Sequence, residues 1–387
     1  MPTLGAFCDA GYDWLVRVLT ELVRLESPTT DPAAVDRCGE RLAEHLREMG
    51  GTVERIPSPT SGAHMRASFG SGPPERQVML LGHFDTVWPV GQLERMPLRE
   101  EDGRLYGPGV FDMKAGIVIG MLAVRALAAA GRLARTRVVM LWTADEERGS
   151  RSSRGLVEEE ARRSGAVFVL EPSLPEGAVK TGRKGCGEFE LRVRGIPAHA
   201  GIDPTRGASA IDELAAQIRA VGSLRDHGRG LSLNVGFIEG GDRPNVVAEH
   251  ARAVIDARAA TMEDARRLER SMQALRPALD GTSLEVSGGF SRPPFERTPA
   301  VARLYEVART VAAEMGRELG EGVTGGGSDG NFTGALGVPT LDGLGAVGDG
   351  AHALDEHVVT ADLTWRAALL AGLIARSGQE LAPNATE

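Results

Sequence analysis

Residues 76–85 read RQVMLLGHFD, and residues 136–148 read TRVVMLWTADEER. Each segment opens on an apolar run, VMLLG or VVMLW, and closes on side chains able to do chemistry: His83 and Asp85 in the first, Glu146 and Glu147 in the second. An unbroken apolar run of this length suits a strand buried on both faces. Between the two runs, residues 114–130 are small and apolar and have the length of a helix. Strand, crossover helix and strand in succession make the unit of a parallel sheet. Residues 167–170 (VFVL) and 338–341 (VPTL) read as further strands of that sheet.

Outward from this unit, apolar residues recur at helical spacing over 12–25 and 35–49. The middle of the chain changes character. A strand at 188–193, a helix at 208–221, strands at 231–238 and 251–257, a charged amphipathic helix at 262–275 and a short strand at 284–286 follow in turn. That β-α-β-β-α-β order is the split ferredoxin-like pattern. Helical sequence resumes at Thr298 and continues through 364–375, and 378–387 reads as a frayed tail. The expected fold is therefore α/β: a mostly parallel sheet flanked by helices, built from residues 1–183 and 293–387, with a ferredoxin-like α+β domain inserted at 184–292. A length of 387 residues agrees with more than one core.

The net charge of −9 argues against a nucleic-acid partner, because neutralising phosphates needs a basic face. Cys8, Cys38 and Cys186 are odd in number and far apart, which fits neither a disulfide framework nor a thiolate-held zinc. Residues 1–25 lack the basic start and apolar stretch of a signal peptide. The longest apolar stretch, 116–127, carries Arg125 and is too short to span a bilayer. The expectation is a cytoplasmic chain with no membrane partner.

Five segments place His, Asp or Glu after an apolar strand or in a glycine-rich turn: LLGHFDTVWP (His83, Asp85), GPGVFDMKAG (Asp112), LWTADEERGS (Glu146, Glu147), FVLEPS (Glu171) and GDGAHALDEH (His352). Loops at the carboxyl ends of parallel strands form the ligand crevice of an open α/β sheet. Two imidazoles and several carboxylates gathered there, without thiolate, suit Zn²⁺, Co²⁺ or Mn²⁺. Singly, each is ordinary. An adjacent Glu pair usually starts a helix, and a histidine after a strand is more often a hydrogen-bonded residue than a ligand.

In order, spacing and flanking glycines the five segments together resemble the metallopeptidase family of carboxypeptidase G, acetylornithine deacetylase, succinyl-diaminopimelate desuccinylase and aminoacylase. The resemblance covers nearly the whole chain and is closest to the glutamate carboxypeptidase branch. It implies two divalent ions, zinc before cobalt or manganese, bridged by Asp112. His83 and Glu171 would complete one shell, Glu147 and His352 the other. It further implies that Asp85 holds a ligating imidazole and that Glu146 is the general base. His199 in PAHAG would serve the partner subunit's active site as an oxyanion donor. Asn245 in RPNVVAE would contact substrate, and Arg258 in VIDAR would clamp its carboxylate. The loop TGGGSDG contains G-x-G-x-x-G by letter, but no βαβ unit begins there. Its backbone N–H groups at Gly326, Gly327 and Ser328 are expected to receive a substrate carboxylate instead. The resemblance also implies a cis peptide between Asp112 and Met113.

The implied activity is hydrolysis of an amide bond to a carboxylate-bearing amino acid, by hydroxide formed between the ions with Glu146 taking the proton. The substrate would be a small amino-acid conjugate or short peptide, and the inserted domain a lid and a homodimer interface. An N-acyl amino acid deacylase or desuccinylase would use the same residues. A metal-free binding relative would have lost a ligand or the base, and all six positions are intact. A TIM-barrel amidohydrolase would want an early H-x-H and eight βα repeats, which are absent. His45, His64, His227, His250 and His357 read as surface or turn residues.

Overall fold

The computed structural model describes residues 3–73 and 76–380. Two compact units are present: Met1–Gly182 with Arg297–Val323 and Ser328–Glu387, and Arg183–Glu296 with Thr324–Gly327. The strands that form their two main sheets are, in chain order, β1 (Thr52–Ile56), β2 (His64–Phe69), β3 (Gln77–His83), β4 (Arg137–Thr143), β5 (Ala166–Val169), β6 (Gly185–Arg194), β7 (Ser232–Gly240), β8 (His250–Ala259), β9 (Ser283–Arg292) and β10 (Thr340–Leu341).

In the first unit the sheet order is β1-β2-β4-β3-β5-β10. The four strands β4, β3, β5 and β10 are parallel, as the apolar runs predict. Every residue of β3 is buried, which is why VMLLG shows no alternation. The β1–β2 hairpin joins β4 as an antiparallel edge. Sequence reading misses it, because TVERI and HMRASF mix charged and apolar residues without a clean period. The register runs from Gln77 opposite Arg137 to His83 opposite Thr143, so β3 and β4 end level. The turns after them therefore open at one end of the sheet.

The helix Ala115–Ala129 lies in the core with all but a few residues buried. A Cβ on Gly116 would stand 1.9 Å from the Leu170 carbonyl oxygen, so only glycine lets the helix approach the end of β5. Helix starts follow local capping signals. Asp31 accepts from the Ala34 N–H before Pro32–Glu48, and Thr298 from the Val301 N–H before Pro299–Glu314, each with proline in the first turn. The last helix, Leu363–Glu380, extends past the point where fraying is expected, and the remainder of that tail lies outside the described residues. No helix among the described residues is long and apolar enough to cross a membrane.

The second unit is an antiparallel sheet of order β7-β8-β6-β9, carrying helices Ala210–Gly222 and Met262–Gln273 over its own core. Its element order is the expected ferredoxin-like one. Strand β9 is far longer than the three residues that alternate cleanly, because Gly288 and Gly289 interrupt the pattern. A Cβ on Gly288 would meet the Glu188 carbonyl oxygen at 2.1 Å, so the bend there needs glycine. Thr324–Gly327 groups with this unit: Lys184 N–H donates to Thr324 O at 3.0 Å, and Arg183 Nη1 donates to Gly326 O and Gly327 O.

Candidate metal centre

His83 ends β3 almost fully buried. Its Nε2 is 3.3 Å from Asp112 Oδ1 and 3.7 Å from Glu171 Oε1. His352 Nε2 stands 3.4 Å from the other Asp112 oxygen, Oδ2, and 3.3 Å from Glu147 Oε1. Asp112 is thus shared between two clusters, His83 with Glu171 and His352 with Glu147. Ligand atoms of His83, Asp112 and Glu147 all fall within 4.8 Å of one another. The peptide bond between Asp112 and Met113 is cis.

His83 Nδ1 lies 2.9 Å from the Asp85 carbonyl oxygen, an acceptor, so Nδ1 carries the proton and donates it there. Nε2 then faces only carboxylates. His352 Nε2 does the same. Asp112 Oδ1 is buried and has no hydrogen-bond donor among the described residues. A ring of acceptors of this kind needs positive charge inside it, either protons on the imidazoles or metal ions between the groups. Hydrogen bonds that its ring donates to the Asp112 and Glu147 carboxylates push the pKa of His352 up to about 10. Burial alone would raise the Asp112 carboxyl, but the His352 and His83 imidazoles facing its two oxygens hold it below the ordinary carboxylate range. Imidazole and carboxylate donors without thiolate, around an orphaned carboxylate oxygen, fit divalent zinc, cobalt or manganese.

Asp85 is fully buried but does more than face the imidazole. Its carboxylate is 3.4 Å from His83 Nδ1, farther than its own carbonyl. The same carboxylate accepts from Thr29 Oγ1 at 2.7 Å, from Glu146 N–H at 3.3 Å and from Glu147 N–H at 3.2 Å. It braces the turn that carries both glutamates. Two further braces escape sequence reading. His64, expected at the surface, is buried on β2, where its Nδ1 accepts from Ala144 N–H at 3.1 Å and its Nε2 meets Ser152 Oγ. Asp329 accepts from Thr143 Oγ1 and Ser150 Oγ, flanking that turn on both sides. His45 and His357 are likewise buried rather than exposed. Partners remote in sequence, such as Ala144 and Ser152 for His64 and Glu21 for His45, hold these side chains inside, so no local pattern marks them.

In the second unit, Asn245 and His199 come together. Asn245 O accepts from Ala200 N–H at 3.0 Å, and His199 bridges Val246. His199 is exposed, and its Nδ1 accepts the N–H groups of Gly201 and Ile202 at 3.2 Å each. The neutral ring must then carry its proton on Nε2, pointing a donor away from the turn. Arg258 is held by Asp256 through two bonds of 2.9 and 2.7 Å, and its Nη1 is 2.6 Å from Cys186 Sγ. Gly326 is exposed, while the Gly327 backbone lies close to Cys186 and Arg292. Ser328 departs from its expected role. It is fully buried, its N–H donates to Asn331 Oδ1 at 2.9 Å, and its hydroxyl donates to Asp342 Oδ2 at 2.8 Å. Its amide is consumed inside the protein, so it is no open donor for a substrate carboxylate.

Comparison with known proteins agrees with this arrangement. Residues 79–376 match the model of peptidase family M20/M25/M40. Carboxypeptidase G2 of Pseudomonas sp. (strain RS-16) is 29% identical over 347 residues, 87% of this chain and 83% of that protein. Succinyl-diaminopimelate desuccinylase of Xanthomonas oryzae pv. oryzae (strain PXO99A) is 33% identical over 378 residues, 92% of this chain and 96% of that one. The crystal structure of aminopeptidase PepT from Bacillus cereus ATCC 10987 superposes with a TM-score of 0.80 over 95% of this chain and 99% of its own, at 22% identity, a likeness of fold. With the family model spanning most of its length and carboxylates and imidazoles clustered at the sheet's end, the chain belongs to the M20/M25/M40 peptidase family, metallo-hydrolases of amide and peptide bonds.

Proposed function

We propose that the protein hydrolyses the amide bond to a carboxylate-bearing amino acid, in the manner of a glutamate carboxypeptidase, with two zinc ions. The observation that carries this is Asp112, whose two carboxylate oxygens each face a different imidazole while Oδ1 lacks any donor among the described residues. His83, Asp112 and Glu171 would hold one ion and Asp112, Glu147 and His352 the other. Bound there, such ions would supply Lewis acidity, making water a better nucleophile near neutral pH and polarising the scissile carbonyl.

The protein's own groups do the rest. Glu146 takes the proton of the attacking water and returns it to the leaving nitrogen. Asp85 keeps Glu146 and Glu147 in place through their backbone N–H groups. His199, with its proton on Nε2, donates to the carbonyl oxygen as charge develops, and does so in trans, at the partner subunit's site. Arg258 and the N–H groups of Gly326 and Gly327 receive the substrate carboxylate, with Asn245 as a further contact; Arg258 must then exchange part of its pairing with Asp256. A homodimer through the inserted unit is supported by its open edge, since β7 ends the sheet with Phe237 and Ile238 exposed and Ile211 beside Gly240.

Release of a dicarboxylic acyl group is the second reading, favoured by the identity to the Xanthomonas desuccinylase. Zinc-loaded protein assayed on C-terminal dipeptides and on N-acyl and N-succinyl amino acids, with amino-acid release as readout, separates the two. Carboxypeptidase action predicts turnover of C-terminal dipeptides ending in glutamate above the N-succinyl compounds. Turnover of none of them would remove the proposal.

A further inference from the structure

Glu356 is fully buried four residues after His352. Both of its oxygens are saturated with N–H donors. Oε1 accepts from the backbone of Phe111 at 2.9 Å and Asp112 at 3.0 Å, and Oε2 from the backbone of Gly109 at 2.9 Å and the Trp88 indole at 2.7 Å. The Glu356 carbonyl also accepts from Gly107 N–H at 3.3 Å. The turn that presents Asp112 is therefore wrapped around a side chain from the His352 loop, 244 residues away in sequence.

We propose that Glu356 is a positioning residue that locks the Asp112 turn to the His352 loop and so sets the spacing of two ligands of one metal ion. The backbone on either side supports the same link: the short strand His357–Val359 pairs with Gly348–Asp349 across the His352 loop and with Arg104–Tyr106 just before the Asp112 turn. His352 itself sits at φ 62°, a left-handed conformation that a non-glycine residue holds only when its surroundings impose it. Four N–H donors fit a carboxylate and nothing else of this size. A glutamine would turn an NH₂ toward two of those donors and leave both without an acceptor.

The inference rests on the metal reading above. Its test compares wild type, Glu356→Gln and Trp88→Phe by zinc stoichiometry, zinc affinity in chelator competition, and the visible spectrum of the cobalt-substituted protein. Circular dichroism monitors the fold. Glu356→Gln is expected to weaken one zinc by about 10–100-fold and to change the cobalt spectrum, as loss of a group that orients ligands does. Trp88→Phe, which removes one donor and spares three, should shift affinity and spectrum less, in the same direction. A folded Glu356→Gln with wild-type affinity, two ions and an unchanged cobalt spectrum overturns the inference. Should Glu356→Gln not fold, Trp88→Phe decides alone, and an unchanged cobalt spectrum overturns it equally. Wild-type protein that takes up neither metal overturns the metal reading and this inference with it, whereas two ions held with wild-type affinity and an unchanged cobalt spectrum in both variants overturn only the role of Glu356.

Discussion

Glu146 and Glu147 are neighbours in sequence, and the structure gives them different surroundings. Glu147 reaches His352 at 3.3 Å, and burial raises its carboxyl against the pull of that imidazole, the environment of a side chain whose charge waits for a cation. Glu146 shares the turn and the Asp85 brace, and we propose it as the group that moves the proton. Glu146→Gln should therefore keep its fold and both zinc ions while kcat falls by about 10²–10⁴. Near-normal turnover of a fully zinc-loaded variant would remove Glu146 from the mechanism. Adjacent glutamates after an apolar strand were legible as candidates. That Glu147 rather than Glu146 faces the imidazole came only from the family resemblance and not from the local pattern, because neighbouring side chains diverge according to turn geometry.

At the scale of elements, two contacts give predictions with a definite sign. Alanine is a better helix former than glycine by about 1 kcal/mol, so propensity alone says that Gly116→Ala stabilises the helix Ala115–Ala129. The new Cβ would instead lie 1.9 Å from Leu170 O, next to Glu171, and must push the helix off the end of β5. The expected net result is a loss of about 1–3 kcal/mol in urea denaturation, with weaker zinc retention; a stabilised variant would contradict the packing account. In the second unit Glu213 is fully buried and accepts from Gln217, from Ala278 and Leu279 N–H, and from Thr282. Burial raises its carboxyl, but these donors outweigh it and hold it below its ordinary 4.5. A depressed carboxyl stabilises the fold above the unfolded value and loses that contribution as pH falls through the folded one. Glu213→Gln should cost about 1–3 kcal/mol at neutral pH and flatten the acid side of the stability profile below about pH 4.5. Denaturant melts from pH 3 to pH 7 check both, and an unchanged acid slope would assign the effect to other carboxylates.

For the whole molecule, the proposed working unit is two chains. The exposed Phe237 and Ile238 on edge strand β7 suit burial against a second copy, so Ile238→Glu should give a monomer in light scattering with far lower activity. Full activity in a monomer would remove the need for a partner. Loss of one oxyanion donor costs roughly 10²–10³ in kcat, so His199→Ala should be nearly inactive with zinc retained. Mixing His199→Ala with Glu146→Gln under conditions of subunit exchange distinguishes trans from cis. In trans, each mixed dimer has one doubly defective site and one intact site, and activity returns to at most about half of a wild-type dimer. In cis every site keeps one defect, and the mixture stays as inactive as its parents.

The α/β architecture could be read from VMLLG, VVMLW and VFVL, because a strand buried on both faces has no polar alternation to obscure it. The ferredoxin-like order of the second unit was legible for the same reason in reverse, since half-exposed strands alternate. Apolar spacing alone began the helix of residues 35–49 three residues late, because Asp31 caps it and Pro32 opens it through bonds that carry no apolar signal. Local pattern did not reach the β1–β2 hairpin, the length of β9 or the burial of Ser328, His64 and Glu356. Those depend on partners far away in sequence: Glu356 looks like any polar loop residue until the Asp112 turn closes around it. Sequence alone determined which residue types stand at the ends of strands. Only the tertiary structure decided which oxygen faces which imidazole, because hydrogen-bond direction and burial are properties of the neighbours that folding brings together.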